Sequence, residues 1–332
     1  MIMKLAPGTL PQLLAAARDS AGVHAKLDVQ RISRALGAQA GQILNGDDAA
    51  ALPDKDGYTL LAAEGMHPGF VVQEPWFAGF CAVMTNVSDI AAMGGRPQAI
   101  VDVLFAGADE RVVQAVLAGL AAGSEFFGVP LVGGHTGRSS GETYLAAAIV
   151  GRARKLISSF AARPGDALIA VYDLRGRFRG ESLNFDAVSG SDPARVRAQL
   201  ALLPELAEAG LVHAGKDVSM AGFLGTLLML LETSGCGATL DLARLPAPSD
   251  AEPLRWLRAF PSFGYLLVST AANSSEALAR AHALGLSAEV VGGIDSSSKL
   301  LIQHGDQLCE HWDLAQTPVL GFGPHTHEER HA

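Results

Sequence analysis

The sequence predicts a two-domain α+β protein, and three observations carry that reading. Its 332 residues are enough for about two domains at roughly 150 residues each. Hydrophobic residues make up 49% of the chain and charged residues 18%, which is ample for a core and unlike a disordered chain. Each half alternates strand-like runs with helical periodicities, the pattern of mixed layers. A boundary is expected near 152–165, where RARKLISSFAARPGD carries a charge run and Pro164-Gly165. The expected domains are 1–155 and 156–332.

The elements follow in chain order. LDVQRISRALG (27–37) reads as a helix stopped by Gly37. GQIL (41–44) and AAAL (49–52) read as short strands around Asn45-Gly46-Asp47-Asp48, and TLLAAE (59–64) as another. A buried helix occupies about 77–93, and AIVDVLF (99–105) is a strand. DERVVQAVLAGLAAGSEFFG (109–128) has an Asp at its start, helical periodicity and a terminal Gly. VPLVGG (129–134) and TYLAAAIVG (143–151) are strands joined by HTGRSSGE. Past the boundary, DALIAVY (166–172) is a strand and 192–210 a helix. DVSMAGFLGTLLMLLETSG (217–235) reads as a second, apolar helix. ATLDL, YLLVST, AEVVGGI and KLLIQ are strands, with a helix at about 274–284. The tail GPHTHEERHA is expected to fray.

Composition excludes several functions. Acidic residues exceed basic ones, 34 against 25, so no basic nucleic-acid footprint is expected. Cys81, Cys236 and Cys309 are too far apart for a disulfide framework or a zinc pattern, and read as free thiols. The N-terminus lacks an apolar signal region, so a cytoplasmic address is expected. The run from Trp76 to Gly95 holds a single charge, Asp89. Thr85, Asn86, Ser88 and Asp89 in its middle make it a buried helix of a soluble protein rather than a membrane span. The common nucleotide loops, G-x-x-x-x-G-K-[ST] and a post-strand G-x-G-x-x-G, are absent, as are G-x-S-x-G and H-E-x-x-H.

Candidate chemistry lies in a few residues. Asp47 and Asp48 on a Gly turn suit a hard divalent cation, or form an ordinary Asx turn. Asp89, one turn after Asn86 in an uncharged helix, needs a metal, a hydrogen-bonded setting or a partner such as Arg96. Asp217 heads an apolar helix, either as its N-cap or beside a phosphate bound at the helix end. Ser219, Gly222 and Gly225 keep that end small. Glu64 and His67 end a strand, and Gly133-Gly134-His135 offers backbone to an anion. Arg175, Arg177 and Arg179 meet a phosphate or form a solvated loop. His304, His311, His325, His327 and His331 read as surface residues.

In order, GDDAAALP, NVSDIAAMGGRP, VGGHTG and KDVSMAGFLGTLLMLLETSGCGATLDL resemble the AIR-synthase superfamily over roughly residues 40–300, with motifs nearest to its thiamine-monophosphate kinase branch. The resemblance implies the two-domain PurM-like fold, with an N-terminal α/β domain that pairs in a homodimer to form a β-barrel and a C-terminal α+β domain. It implies ATP in a cleft with several Mg²⁺ ions. The matching metal-holding carboxylates are Asp48 together with Asp47, and Glu64, Asp89 and Asp217. Asn86, Gly133, Gly134 and Ser219 match positions that face ATP. The expected activity is ATP- and Mg²⁺-dependent activation of an oxygen or carboxamide of a small substrate by phosphoryl transfer. The alternatives are an ATP-binding module without turnover and a metal-dependent hydrolase. No nucleic-acid or membrane partner is expected. Three departures stand out: Glu64 where the kinase has T-D-T, His135 where relatives carry an acid, and Met220 where the kinase has a second carboxylate.

Overall fold

The structure, a computed structural model, describes residues 3, 5, 8–36 and 44–323. The chain opens with helices α1 (Leu10–Arg18) and α2 (Ala21–Leu36). The described residues form two compact units: a first of 48–156 with 192–205, and a second of the residues before 48 with 157–191 and those from 206 on. The two opening helices thus belong to the second unit.

The first unit contains β1 (Ala50–Asp54), β2 (Gly57–Met66), α3 (Pro68–Gln73), α4 (Pro75–Ala92), β3 (Arg96–Ala106), α5 (Glu110–Phe127), β4 (Leu131–Arg138) and β5 (Tyr144–Ala153). Its sheet has the order β1-β2-β5-β3-β4. β1 and β2 form a hairpin across Asp54-Lys55-Asp56-Gly57, with Gly57 at φ 144. β3 and β4 run parallel, and α5 makes the crossover between them. α5 starts as expected, with Asp109 accepting from the Arg111 amide, and stops at Gly128 in the left-handed region. α4 and α5 pack together at two glycines. A Cβ on Gly79 would lie 2.2 Å from the Val116 carbonyl oxygen, and one on Gly119 would lie 1.9 Å from that of Trp76.

The period-2 pattern decides which face of the sheet these helices cover. Leu60, Ala62, Ile100, Leu104, Leu145 and Ile149 are buried on one face. Leu61, Val101, Val103, Phe105 and Tyr144 are exposed on the other. The sheet is open, with β1 and β4 at its edges. GQIL lies outside the described residues apart from Leu44, which is exposed and in no strand. β4 continues through His135 to Arg138, so the following loop is shorter than expected.

The remaining elements are β6 (Ala167–Tyr172), β7 (Arg177–Phe178), β8 (Asn184–Asp186), α6 (Pro193–Glu208), β9 (Ala214–Asp217), α7 (Gly222–Ser234), β10 (Gly237–Asp241), α8 (Pro253–Leu257), β11 (Phe260–Pro261), β12 (Gly264–Ser269), α9 (Ser274–Ala283), β13 (Ser287–Asp295), β14 (Lys299–His304) and β15 (Gln307–Asp313). A seven-stranded sheet has the order β15-β14-β10-β13-β6-β12-β9, and β11-β8-β7 form a small second sheet. β6 and β12 are buried along their whole length, which explains their unbroken apolar runs. α7 is almost wholly buried, and Leu227, Leu228 and Leu231 join the core of the unit.

The structure corrects three readings. The segment 217–235 is not one helix: Asp217 ends strand β9, and α7 begins five residues later. The arginine loop is not open to phosphate at Arg175 and Arg179, which pair with Asp173 at 2.7 Å and Asp186 at 3.2 Å. Of the five C-terminal histidines, His325, His327 and His331 lie outside the described residues, but His311 is 1% exposed and not a surface residue.

Candidate functional site

In the first unit, four strands and one helix build a row of groups on the helix-covered face of the sheet. Ala147 of β5 is the register partner of both Glu64 on β2 and Asp102 on β3. Asp102 is in turn the partner of Gly134 on β4. Directly opposed residues share a face, so Glu64, Ala147, Asp102 and Gly134 form one row across the sheet. Above this row, Asn86 of α4 donates from Nδ2 to the Ala82 carbonyl at 2.8 Å and to the Ala147 carbonyl at 3.4 Å. Asn86 is fully buried, and its Oδ1 has no hydrogen-bond partner among the described residues. Asp89 is buried one turn further along the same helix.

Asp102 was not among the residues singled out from the sequence. Its signal was a carboxylate inside the apolar run AIVDVLF, two positions from a buried leucine on the same strand face. Burial raises its pKa above the ordinary carboxylate value. It also explains the second glycine of the Gly133-Gly134 pair. A Cβ on Gly134 would lie 2.5 Å from Asp102 Oδ1 and 2.2 Å from the Asp102 carbonyl oxygen. Gly133 instead has φ 153, and a Cβ there would meet nothing within 4 Å. His135 pairs in register with Val103, and its ring lies 5.9 Å from that of Phe105. It therefore stands on the exposed face, opposite Asp102, and does not replace an acid in the row.

The GDD turn is divided. Asp47 belongs to the second unit, where its Oδ2 accepts from Ser158 Oγ at 2.6 Å and its Oδ1 from the Ser159 amide at 3.0 Å. Both oxygens thus cap the turn that starts at Ser158. Gly46, at φ 119, presents its carbonyl to Lys216 Nζ at 3.2 Å. Lys216 is 4% exposed, and this contact ties the glycine to the end of β9. Asp48 begins the first unit and is half-buried.

The second unit presents Asp217 and Ser219 between β9 and α7. The Ser219 amide donates to Thr226 Oγ1 at 3.1 Å, and the Ser219 carbonyl accepts from the Gly222 amide at 2.9 Å. These bonds fold residues 218–221 back over the first turn of α7. Gly222 is at φ 70, and a Cβ there would lie 2.1 Å from the Leu257 carbonyl oxygen. No side chain caps α7 at Ala221. The Gly222 amide is taken by the Ser219 carbonyl, and the N–H groups that follow it in the first turn are left for water or an anion. Met220 projects from this turn and is 62% exposed.

The donor set is hard oxygen: carboxylates and one carboxamide oxygen without a partner. That chemistry fits Mg²⁺. Among the described residues, no three His, Cys, Asp or Glu side chains are gathered closely enough to hold a metal ion. Asn86 Oδ1 and Asp102 nevertheless pay a burial cost that a cation or its bound water would relieve.

Comparison with known proteins agrees with this layout. The family "AIR synthase related protein, N-terminal domain" matches residues 46–153, and its C-terminal domain matches 163–304. The chain belongs to the AIR synthase-related family. The protein sll0787 of Synechocystis sp. is 44% identical over 94% of this chain and 98% of its own length. Thiamine-monophosphate kinase of Caulobacter vibrioides is 30% identical over 64% of this chain and 62% of its own. Selenide, water dikinase of Myxococcus xanthus is 29% identical over 70% and 71%. The fold is that of PurL of Thermotoga maritima, solved with ATP, with a TM-score of 0.66 at 25% identity over 80% of this chain and 44% of that one. The chain spans about half the length of the PurL proteins it matches. Among the described residues, no helix is long and apolar enough to cross a membrane.

Proposed function

We propose that this protein is an ATP- and Mg²⁺-dependent enzyme that activates an oxygen of a small substrate by phosphoryl transfer. The observation that carries the reading is the row Glu64–Ala147–Asp102–Gly134 beneath Asn86, which sets two carboxylates, Glu64 and Asp102, on one face of the sheet. Kinship with a kinase, a dikinase and an ATP-binding synthase supports it. Asp48, Glu64, Asp89 and Asp217 are the carboxylates proposed to hold Mg²⁺, together with Asn86 Oδ1. The uncapped start of α7 and the Ser219 turn receive phosphate oxygens, and Gly133 leaves its backbone open to the nucleotide. Bound Mg²⁺ would neutralise triphosphate charge and stabilise the charge that moves in the transfer. Asp47, with both oxygens engaged, holds the turn that presents Asp48.

The exposed sheet face is proposed as the homodimer surface. Leu61, Val101, Val103, Phe105 and Tyr144 are each at least 39% exposed there, an apolar patch that a second copy would cover. The site and address are proposed to be cytoplasmic.

The test is ³¹P NMR of Mg-ATP with the protein over a panel of alcohols, carboxamides and phosphate monoesters. ADP formed together with a new phosphoryl product supports the reading. Tight ATP binding with no turnover on any substrate supports the second reading, an ATP-binding module. His135 on the far face and Met220 in place of a carboxylate favour that alternative.

A further inference from the structure

The two family matches cover residues 46–153 and 163–304, so α1 and α2 stand outside both. Within the second unit, the first turn of α2 meets the turn between β9 and α7. A Cβ on Gly22 would lie 2.1 Å from the Met220 carbonyl oxygen and 3.0 Å from the Ala221 Cα. No side chain fits so small a gap, and the two backbones touch directly. The next residue, Val23, is 3% exposed, and its Cγ2 would lie 3.3 Å from a Cβ on Gly225. Helix α2 therefore covers both the turn and the start of α7.

The position of α2 is fixed elsewhere in the unit. Ser20 Oγ accepts from the Val23 amide at 3.3 Å. Leu10, Leu13, Leu14 and Ala17 of α1 are buried in the core, and Arg18 Nη2 donates to the His311 carbonyl. Further along α2, Gln30 Nε2 donates to the Val319 carbonyl at 3.2 Å. The turn is also confined from α8, because a Cβ on Gly222 would lie 2.1 Å from the Leu257 carbonyl oxygen. Residues 219–222 are thus wedged between two backbones, and the Met220 side chain leaves the wedge for solvent.

A turn that binds phosphate aims several N–H groups at one point, and a misplacement of about 1 Å costs much of the interaction. We propose that α2 is the strut that holds residues 219–222 in their phosphate-binding geometry, with Gly22 as its positioning residue. This rests on the phosphoryl-transfer reading, in which the turn receives phosphate oxygens. Even a methyl group at position 22 forces α2 and the turn apart by roughly 1 Å.

The experiment compares Gly22→Ala with the parent in the full chain, by calorimetric titration with Mg-ATP and by amide hydrogen exchange without nucleotide. The variant should bind Mg-ATP at least tenfold more weakly, and the ³¹P resonances of the bound nucleotide should move. The Ser219 and Gly222 amides, held by Thr226 Oγ1 and the Ser219 carbonyl, should exchange faster, while those of β6 and β12 keep their protection. Ile302→Ala, at a fully buried position in β14, supplies a variant of lowered stability that should keep the parent's affinity. If Gly22→Ala does not fold, Val23→Ala loosens the same contact and should weaken binding at least threefold. The strut is overturned if the variant that folds binds Mg-ATP like the parent, if Ser219 and Gly222 exchange unchanged, or if Ile302→Ala loses as much affinity. A parent that binds no Mg-ATP is a different result: it overturns the phosphoryl-transfer reading and this proposal with it.

Discussion

α4 and α7 are both apolar helices buried almost from end to end, yet they treat their buried polar groups in opposite ways. Glu232 of α7 is 5% exposed and fully used. Its Oε2 accepts from the Val319 and Leu320 amides at 2.6 and 2.7 Å, and its Oε1 from the Gly321 amide at 2.7 Å. Asn86 of α4 is deeper still, and its Oδ1 accepts nothing among the described residues. A buried carboxylate with three donors is a clamp, here holding the chain segment that follows β15. A buried carboxamide oxygen with none is a cost without a structural return. The contrast assigns α7's interior to stability and is consistent with the binding role proposed for α4's.

Breaking the clamp should give the largest effect. Glu232→Ala removes three charge-assisted bonds and leaves three amide donors facing a buried space. A loss of about 3 kcal/mol is expected in a denaturant melt. The amides of Val319 to Gly321 should exchange with solvent before those of β6 and β12.

His311 extends the comparison to pH. Burial, reinforced by the charge of Arg18, lowers its pKa to about 4 from the usual 6.5. The unfolded chain then takes up a proton at higher pH than the folded one. Its contribution to stability is present above pH 6.5 and is lost as pH falls through 4. The window corresponds to about 3 kcal/mol. His311→Gln should flatten the stability profile between pH 6.5 and 4, and an unchanged slope would show that another group carries it.

Much of this could be read in advance, and the misses have physical causes. α5 was legible because Asp109 and Gly128 mark its ends and its apolar stripe has the right period. The buried carboxylate Asp89 stood out from its uncharged surroundings. The start of α7 was misplaced because Asp217 is a good N-cap residue type. Its register pairing with Tyr265 instead makes it the last residue of a strand, and that pairing is a long-range fact. Asp102 was passed over because a single acid in an apolar strand has no local pattern. Its meaning comes from Gly134 and Glu64, more than thirty residues away on either side in sequence and united by the sheet. Asp47 and Asp48 are adjacent and alike in sequence, but Ser158 and Ser159 take up the first.

The α4 side of the comparison is tested by Asn86→Leu. The substitution keeps the branched outline but adds volume, and it removes the oxygen that lacks a partner at the expense of the two Nδ2 bonds. Stability should fall by no more than about 2 kcal/mol, while Mg-ATP affinity falls about tenfold, or ~1.4 kcal/mol. A large loss of stability with unchanged affinity would return Asn86 to the same structural role as Glu232.

The smallest effect is expected at Asp102, and it sharpens the contrast by its sign. Burial raises the carboxyl pKa in the folded chain, so ionisation opposes folding. The folded state is favoured below the ordinary carboxylate value of 3.8, and this advantage is lost as pH rises through the higher folded value. Asp102→Asn removes the charge at nearly constant volume. The apo variant should match the parent at pH 3 and be slightly the more stable of the two at pH 7, a reversal of the usual penalty for altering a buried polar group. Partial exposure keeps the gain small. Mg²⁺ should erase the difference, because a cation beside Asp102 in the parent compensates the charge that burial penalises. Melts at both pH values, with and without Mg²⁺, resolve the two contributions. If the variant is instead less stable at pH 7 in the absence of metal, the Asp102 carboxylate is a structural acceptor like Glu232, and the row beneath Asn86 is part of the scaffold.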